Sequence, residues 1–257
     1  MSCGLLIRGT RKAAGVLYSP TMLSDAPLKA VLIDVGMPII DERADYFLLK
    51  QNVRDTLRQD HGIIASEVEI EAAWVAAINS WAPSFAKAVL WHFLQPDRDA
   101  VLKAHRKIVD LFNSRPGELT LMDGVMDVIP LLAGKYKLAF AGNQPAVKRE
   151  SLEQLGLLRY FVSMAVSEDI GFAKPDSRFF LEICRLVDVP PAECCMIGDR
   201  LDNDIYPANI LGMRTIWVKV GPHAQQLPRM PEDVPDAIVT AMTELPSVFE
   251  AWESEIS

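Results

Sequence analysis

The residues best suited to chemistry stand at the ends of apolar runs. Asp34 closes Ala30-Val31-Leu32-Ile33, while Asp199, Asp202 and Asp204 fall in GDRLDND directly after Cys194–Ile197. Gly142-Asn143-Gln144 follows the run Lys137–Ala141, and Lys174 lies in SEDIGFAKPD after a third run. A single aspartate at a strand end is ordinarily a turn residue. Several carboxylates and one lysine on a common rim are different, because like charges repel and burial penalises each unless a cation joins them. Carboxylate oxygens in that setting suit Mg²⁺, which keeps several waters and takes few protein ligands. A cation held there, beside helix N-termini, invites a phosphate.

For these residues to meet, the runs must be strands of one open parallel sheet, where ligands bind beyond the carboxyl ends. Five runs bounded by Gly, Asp or Asn are predicted strands: Lys29–Asp34, Lys137–Ala141, Val162–Val166, Cys194–Gly198 and Arg214–Val218, with Ala237–Val239 a shorter sixth. Helical patterns lie between them. Pro145 opens one that runs through Val147, Leu152 and Leu155 to Gly156. Asp176 or Ser177 caps another through Phe179, Phe180, Ile183 and Val187, and Ile205, Ala208 and Leu211 form a third, ended by Gly212. Strand and helix alternating in this way predict an α/β fold, a Rossmann-like doubly wound parallel sheet covered on both faces.

Residues 43–113 break the alternation and read as helices only. Tyr46, Leu49, Val53 and Leu57 keep one stripe; Ile70, Trp74, Ala77, Ile78 and Trp81 keep a second; Val101, His105, Ile108 and Phe112 keep a third. Ser66-x-x-Glu69 is a capping box opening the second helix. An insertion this long with its own apolar faces is expected to be a small helical domain. The tryptophans read as its core, and His105, among aliphatic neighbours, as a hydrogen-bonded core histidine. The expected organisation is therefore an N-terminal tail (1–28), a core formed by 29–42 and 114–257, and the helical insertion 43–113. Pro222 to Pro235 reads as a proline-dense surface connection.

Composition narrows the partners. Half of the 257 residues are apolar and 23% are charged, as in an ordinary globular enzyme. A net charge of −8 argues against nucleic acid or an anionic membrane surface as the main partner. No stretch is long and apolar enough to span a bilayer. Cys3, Cys184, Cys194 and Cys195 lack zinc-type spacing and read as reduced thiols in a cytoplasmic protein. The first 24 residues carry Arg8, Arg11 and Lys12 and no acid but have no long apolar segment, and read as a floppy tail or as sequence upstream of a start at Met22.

At GDRLDNDIYPANILGMRTIWV, and next at GFAKPDSRFF with its upstream SEDIG, the chain resembles the haloacid dehalogenase superfamily, in the branch with a helical cap inserted after the first motif. The likeness covers most of Lys29 to Leu245. It implies that Asp34 is the nucleophile forming an aspartyl-phosphate and that Lys174 steadies it and the phosphoryl group. It also implies that Asp34, a backbone carbonyl at Gly36, Asp199 and Asp204 hold Mg²⁺, and that Gly142 and Asn143 contact the substrate. Asp202 falls between matched positions and reads as a solvated loop acid. The function implied is a Mg²⁺-dependent phosphatase acting on a small phosphorylated metabolite.

Two departures bear on that function. Where family phosphatases carry a second aspartate that protonates the leaving group, this chain has Gly36, followed by Met37-Pro38 instead of Gly-Thr. Where the second motif supplies Ser or Thr, it has Gly142. General acid catalysis is worth about 10²–10⁴ in rate, so its loss handicaps a site without abolishing it. Dehalogenases also lack the second aspartate, but they lack the Gly198-Asp199 pair retained here. Phosphonatase chemistry would need a cap lysine, for which Lys50, Lys87, Lys103 and Lys107 are candidates by location only. A non-catalytic relative that binds a phosphorylated ligand or a protein is the remaining alternative.

Overall fold

The computed structural model describes residues 6–7, 26–114, 119–143, 153, 155–164 and 167–256. The predicted runs become strands: β2 (Ala30–Ile33), β3 (Lys137–Phe140), β4 (Phe161–Ser163), β5 (Cys194–Gly198), β6 (Arg214–Val218) and β7 (Ala237–Val239), with a two-residue β1 (Leu6–Ile7) added. The sheet order is β1-β7-β6-β5-β2-β3-β4. Every neighbouring pair is parallel except β1 with β7. The α/β expectation is met.

Alternation along β2 shows why this sheet is covered on both faces. Val31 and Ile33 join one apolar layer, with Val128, Ile129, Phe140 and Trp252. Ala30 and Leu32 join the other, with Phe179, Phe180 and Ile183. All four β2 residues are fully buried, so the strand reads as continuous apolar sequence rather than as an amphipathic one. Helices α5 (Val125–Ala133) and α9 (Leu245–Ile256) supply residues to the first layer, and α7 (Ser177–Val187) to the second. Asp176 is the cap of α7, its carboxylate accepting the Arg178 N–H. The predicted helix from Pro145 falls largely outside the described residues.

The chain divides into two compact units, one of 1–41, 119–224 and 228–257 and the other of 42–118 and 225–227. The second unit consists of α1 (Arg43–His61), α2 (Glu67–Asn79), α3 (Phe85–Leu94) and α4 (Arg98–Asn113) around a core that includes Val53, Leu57, Trp74, Leu90 and Ile108. The capping box at Ser66 and Glu69 forms as read. His105 shares a 3.1 Å hydrogen bond with Ser84 Oγ, and burial together with Lys87 lowers its pKa.

Two readings of the local sequence need correction. Trp81 does not continue the α2 stripe: the helix ends at Asn79, and Trp81 takes a left-handed φ of 57°. The Trp81 N–H bonds the Ile78 carbonyl and the Ala82 N–H the Ala77 carbonyl, a helix stop in which Trp fills the place usually given to Gly. Pro222 to Pro235 is not simply a surface connection, because His223 and Asp233 are fully buried. Asp233 accepts the N–H groups of Arg229 and Met230, and Asn209 donates to the carbonyls of Glu232 and Val234, tying the segment to the helix Tyr206–Ile210 that precedes β6.

Candidate active site

The site is assembled at the carboxyl ends of β2, β3 and β5. Pairing of β2 with β5 carries one residue past the strand, where the Asp34 N–H donates to Ile197 O at 2.8 Å. The Asp34 carboxylate is then fixed at one oxygen. Its Oδ1 accepts the Val35 N–H at 2.8 Å and Lys174 Nζ at 2.7 Å.

Lys174 is held from both ends. At its backbone, the Asn143 side chain accepts the Lys174 N–H (2.8 Å) and donates to the Lys174 carbonyl (2.9 Å). At its tip, Nζ reaches Asp34 Oδ1 and, at 2.6 Å, Asp204 Oδ1. Burial alone would push the ammonium down. The carboxylates of Asp204 and Asp34 outweigh it and raise the Lys174 pKa, favouring the charged ammonium.

Asp204 is placed by an unusual turn. From Leu201 to Ile205 the chain widens to a π-type turn, with both Asp204 N–H and Ile205 N–H bonded to Arg200 O, before α8 (Tyr206–Ile210) begins. Such widenings occur frequently at functional sites. Asp204 folds back so that its Oδ2 accepts the Arg200 N–H at 3.0 Å. It lies so close to Gly198 that a Cβ there would sit 2.3 Å from its Cγ, which is why Gly198 precedes Asp199. Burial raises the Asp204 pKa to about 6, with Lys174 pulling it back and Asp34 adding to it.

Asp199 completes the group. Oxygens of Asp34, Asp199 and Asp204 lie within 4.8 Å of one another, and all three residues are buried. Burial, then the Asp34 and Asp204 charges, push the Asp199 carboxyl well up. Fully ionised, three carboxylates against one ammonium would carry an excess of two negative charges in a dry setting, which is why the Asp199 and Asp204 carboxyls are pushed up when no cation is present. A divalent cation with oxygen preference fits that balance. Gly36, two residues after Asp34, and Gly142, just past β3, are both buried; Gly36 bridges to Ile40, and the Gly142 carbonyl accepts the Ser167 N–H at 3.2 Å.

Several participants were not singled out from the sequence. Asp202 is no solvated loop acid: it is 7% exposed and takes a two-point ion pair from Arg200 at 2.6 and 3.1 Å. His223 is buried in the field of the same pair; burial and Arg200 push its pKa down to about 3. Trp217 donates its indole N–H to the Asp199 carbonyl at 2.7 Å. None carries a motif, although the position of Trp217 near the end of β6 could have pointed to it. Of the four lysines considered for Schiff-base chemistry, Lys50 is paired with Glu71 and Lys107 with Asp60.

The HAD-hydrolase-like family profile matches residues 171–245, the stretch that contributes Lys174, Asp199 and Asp204. The chain is 27% identical over 238 residues to a phosphoserine phosphatase of Thermus thermophilus, covering 88% of this chain and 94% of that one. The chain is therefore similar, in this stretch and in its fold, to hydrolases of the haloacid dehalogenase superfamily. It is also 39% identical over 124 residues to a glyceraldehyde 3-phosphate phosphatase of Methanopyrus kandleri, covering 46% of this chain and 53% of the relative. The chain thus spans about half the length of such relatives. In fold, it is similar to a superfamily hydrolase of Bacillus subtilis bound to magnesium, with a TM-score of 0.59, 22% identity and coverage of 87% and 99%. No helix among the described residues is long and apolar enough to cross a membrane.

Proposed function

We propose that the protein is a Mg²⁺-dependent phosphatase for a small phosphorylated metabolite, with Asp34 as nucleophile. The observation that carries this reading is Lys174 bridging Asp34 and Asp204 beside a third buried carboxylate, Asp199. With Oδ1 of Asp34 taken up by Val35 and Lys174, its other oxygen keeps its lone pairs for attack on phosphorus. That attack forms an aspartyl-phosphate as the bond to the leaving oxygen breaks, and water then hydrolyses the acyl phosphate. Lys174 offsets charge on the nucleophile and on the phosphoryl oxygens. Asp34, the Gly36 carbonyl, Asp199 and Asp204 would hold Mg²⁺, which when bound draws charge from the phosphoryl group. Gly142 offers only backbone groups to the phosphate. Asn143 is assigned chiefly to positioning Lys174, because its Oδ1 and Nδ2 both bond the Lys174 backbone. The helical unit 42–118 acts as the cap that selects substrate.

Gly36 cannot donate a proton, so leaving groups that need none should turn over best. Hydrolysis of p-nitrophenyl phosphate, with Mg²⁺ and with chelator, tests the assignment on wild type and Asp34→Asn. Turnover should require Mg²⁺ and fall at least 10²-fold in the variant. Absence of turnover in wild type, or an unchanged rate in Asp34→Asn, would overturn it. Tight binding of a phosphate analogue without turnover would establish a binding protein instead.

A further inference from the structure

A cavity of about 370 Å³ lies at the other end of the sheet. Leu28 just before β2, Tyr136 just before β3 and Arg214, the first residue of β6, contribute to it from the amino ends of the strands. Phe249 and Trp252 of α9 complete an aromatic wall. Its volume is in the range that holds small molecules.

Arg214 makes this cavity more than a packing defect. The residue is 4% exposed, and its guanidinium carbon lies 4.9 Å from the Trp252 ring centroid. Both Nε and Nη1 are buried without a hydrogen-bond partner. Stacking on an indole recovers part of the cost of drying a guanidinium, but it satisfies no N–H donor. Among the described residues, the one carboxylate lining the cavity, Glu253, is already engaged: Lys135 Nζ donates to both its oxygens (2.9 and 3.0 Å) and the Tyr136 hydroxyl to one (2.7 Å). Within the lining, Lys135 and Glu253 cancel, which leaves Arg214 as the remaining cation beside aromatic surface.

We propose that this cavity binds a small monocarboxylate bearing a planar apolar ring, with the carboxylate on Arg214 and the ring against Phe249 and Trp252. A planar two-oxygen anion matches a guanidinium better than a point acceptor does. A single net positive charge calls for a monoanion rather than a phosphate dianion. The site is separate from the carboxylate cluster, which lies beyond the opposite ends of the same strands, and it does not depend on the phosphatase assignment.

The test uses the full chain, ¹⁵N-labelled, titrated with sodium benzoate and in parallel with benzamide, a neutral molecule of the same shape. The arginine Nε–H resonance that vanishes in Arg214→Met should shift saturably with benzoate. Benzamide should bind at least tenfold more weakly. Arg214→Met, whose side chain can still lie along Trp252, should weaken benzoate binding tenfold or more, read from the Trp252 indole resonance. Asp34→Asn should leave it unchanged. Shifts that stay linear in benzoate, equal affinity for benzamide, or loss of binding in Asp34→Asn would each overturn the proposal. The benzamide comparison needs only wild-type protein, so it decides the matter even if Arg214→Met does not fold.

Discussion

The turn after β2 and the turn after β5 meet at the same three carboxylates but are built very differently. After β5, each acid is held by a neighbour: Gly198 clears space for Asp204, Arg200 donates to Asp204 through its backbone and to Asp202 through its side chain, and Trp217 pins the Asp199 carbonyl. After β2, Asp34 is well held, yet the residues beyond it are apolar and polar groups for proton transfer are missing. Met37, 1% exposed, even occupies a left-handed conformation (φ 60°) that favours glycine. The difference separates two functions. On the proposed reading, the electrostatic half, which gathers negative charge around Lys174, is present, and Gly36 stands where a group to protonate the leaving group would be.

The largest effect should come from restoring that second half. Gly36→Asp should raise turnover of alkyl phosphates by about 10²–10⁴, the range for a general acid, while changing p-nitrophenyl phosphate far less. Steady-state rates on the two substrates measure this. Equal effects on both would show that proton donation is not what the turn after β2 lacks.

Breaking the intact half comes next. Lys174→Met leaves Asp34 and Asp204 buried without their shared cation, and removing one partner of a buried pair costs about 3–5 kcal/mol. Urea unfolding without metal should show a loss of that order. Added Mg²⁺ should restore part of it, because a ligand that binds only the folded state stabilises it. A loss under about 1 kcal/mol would mean that the ion pair is no more than a surface contact.

A smaller effect tests the packing behind the β5 turn. His223 is fully buried, and its pKa is displaced downward from 6.5 to about 3 by burial first and Arg200 second, with Asp202 opposing. Below pH 6.5 the unfolded chain gains a proton that the folded one refuses, so stability falls as pH drops toward the folded value. Each pH unit is worth about 1.4 kcal/mol, and so this residue should remove about 2 kcal/mol between pH 6.5 and about pH 5. Comparing unfolding of wild type and His223→Gln at the two pH values isolates the contribution. The same slope in both would show that His223 takes up its proton without cost.

How much of this could be read from the sequence follows the same division. Strands β5, β6 and β7 fall at their predicted residues because each is a short segment rich in apolar or β-branched residues. Strand ends deliver Asp34, Lys174 and the acids of GDRLDND to one rim, the family resemblance separates Asp204 from Asp202 among them, and in the structure Lys174 contacts both Asp34 and Asp204. Partnerships across the chain were not readable. Nothing in the spacing says that Asn143 would brace the backbone of Lys174, or that Asp202 would be buried under Arg200. Those depend on side-chain directions that only the packed turns define. The Arg214 cavity escaped for a similar reason, since an arginine beginning a strand looks like a solvated end.

The smallest expected effect concerns Met37, where two opposing terms nearly cancel. A side chain in the left-handed region costs about 1–2 kcal/mol relative to glycine, so Met37→Gly relieves strain. The same change empties space that the methionine fills against Gly221, where a Cβ would lie only 2.6 Å from Met37 Cε. Truncating a buried methionine costs about 2–5 kcal/mol, at the low end where neighbours can close in. The net expectation is a loss of about 1 kcal/mol in urea unfolding with p-nitrophenyl phosphate turnover almost unchanged, because Val35, Ile197 and Lys174 hold Asp34 independently of residue 37. A net gain in stability would show that conformational strain dominates this turn. A large fall in turnover would show that the packing of Met37 helps aim Asp34, and that the two turns are less independent than their bonding suggests.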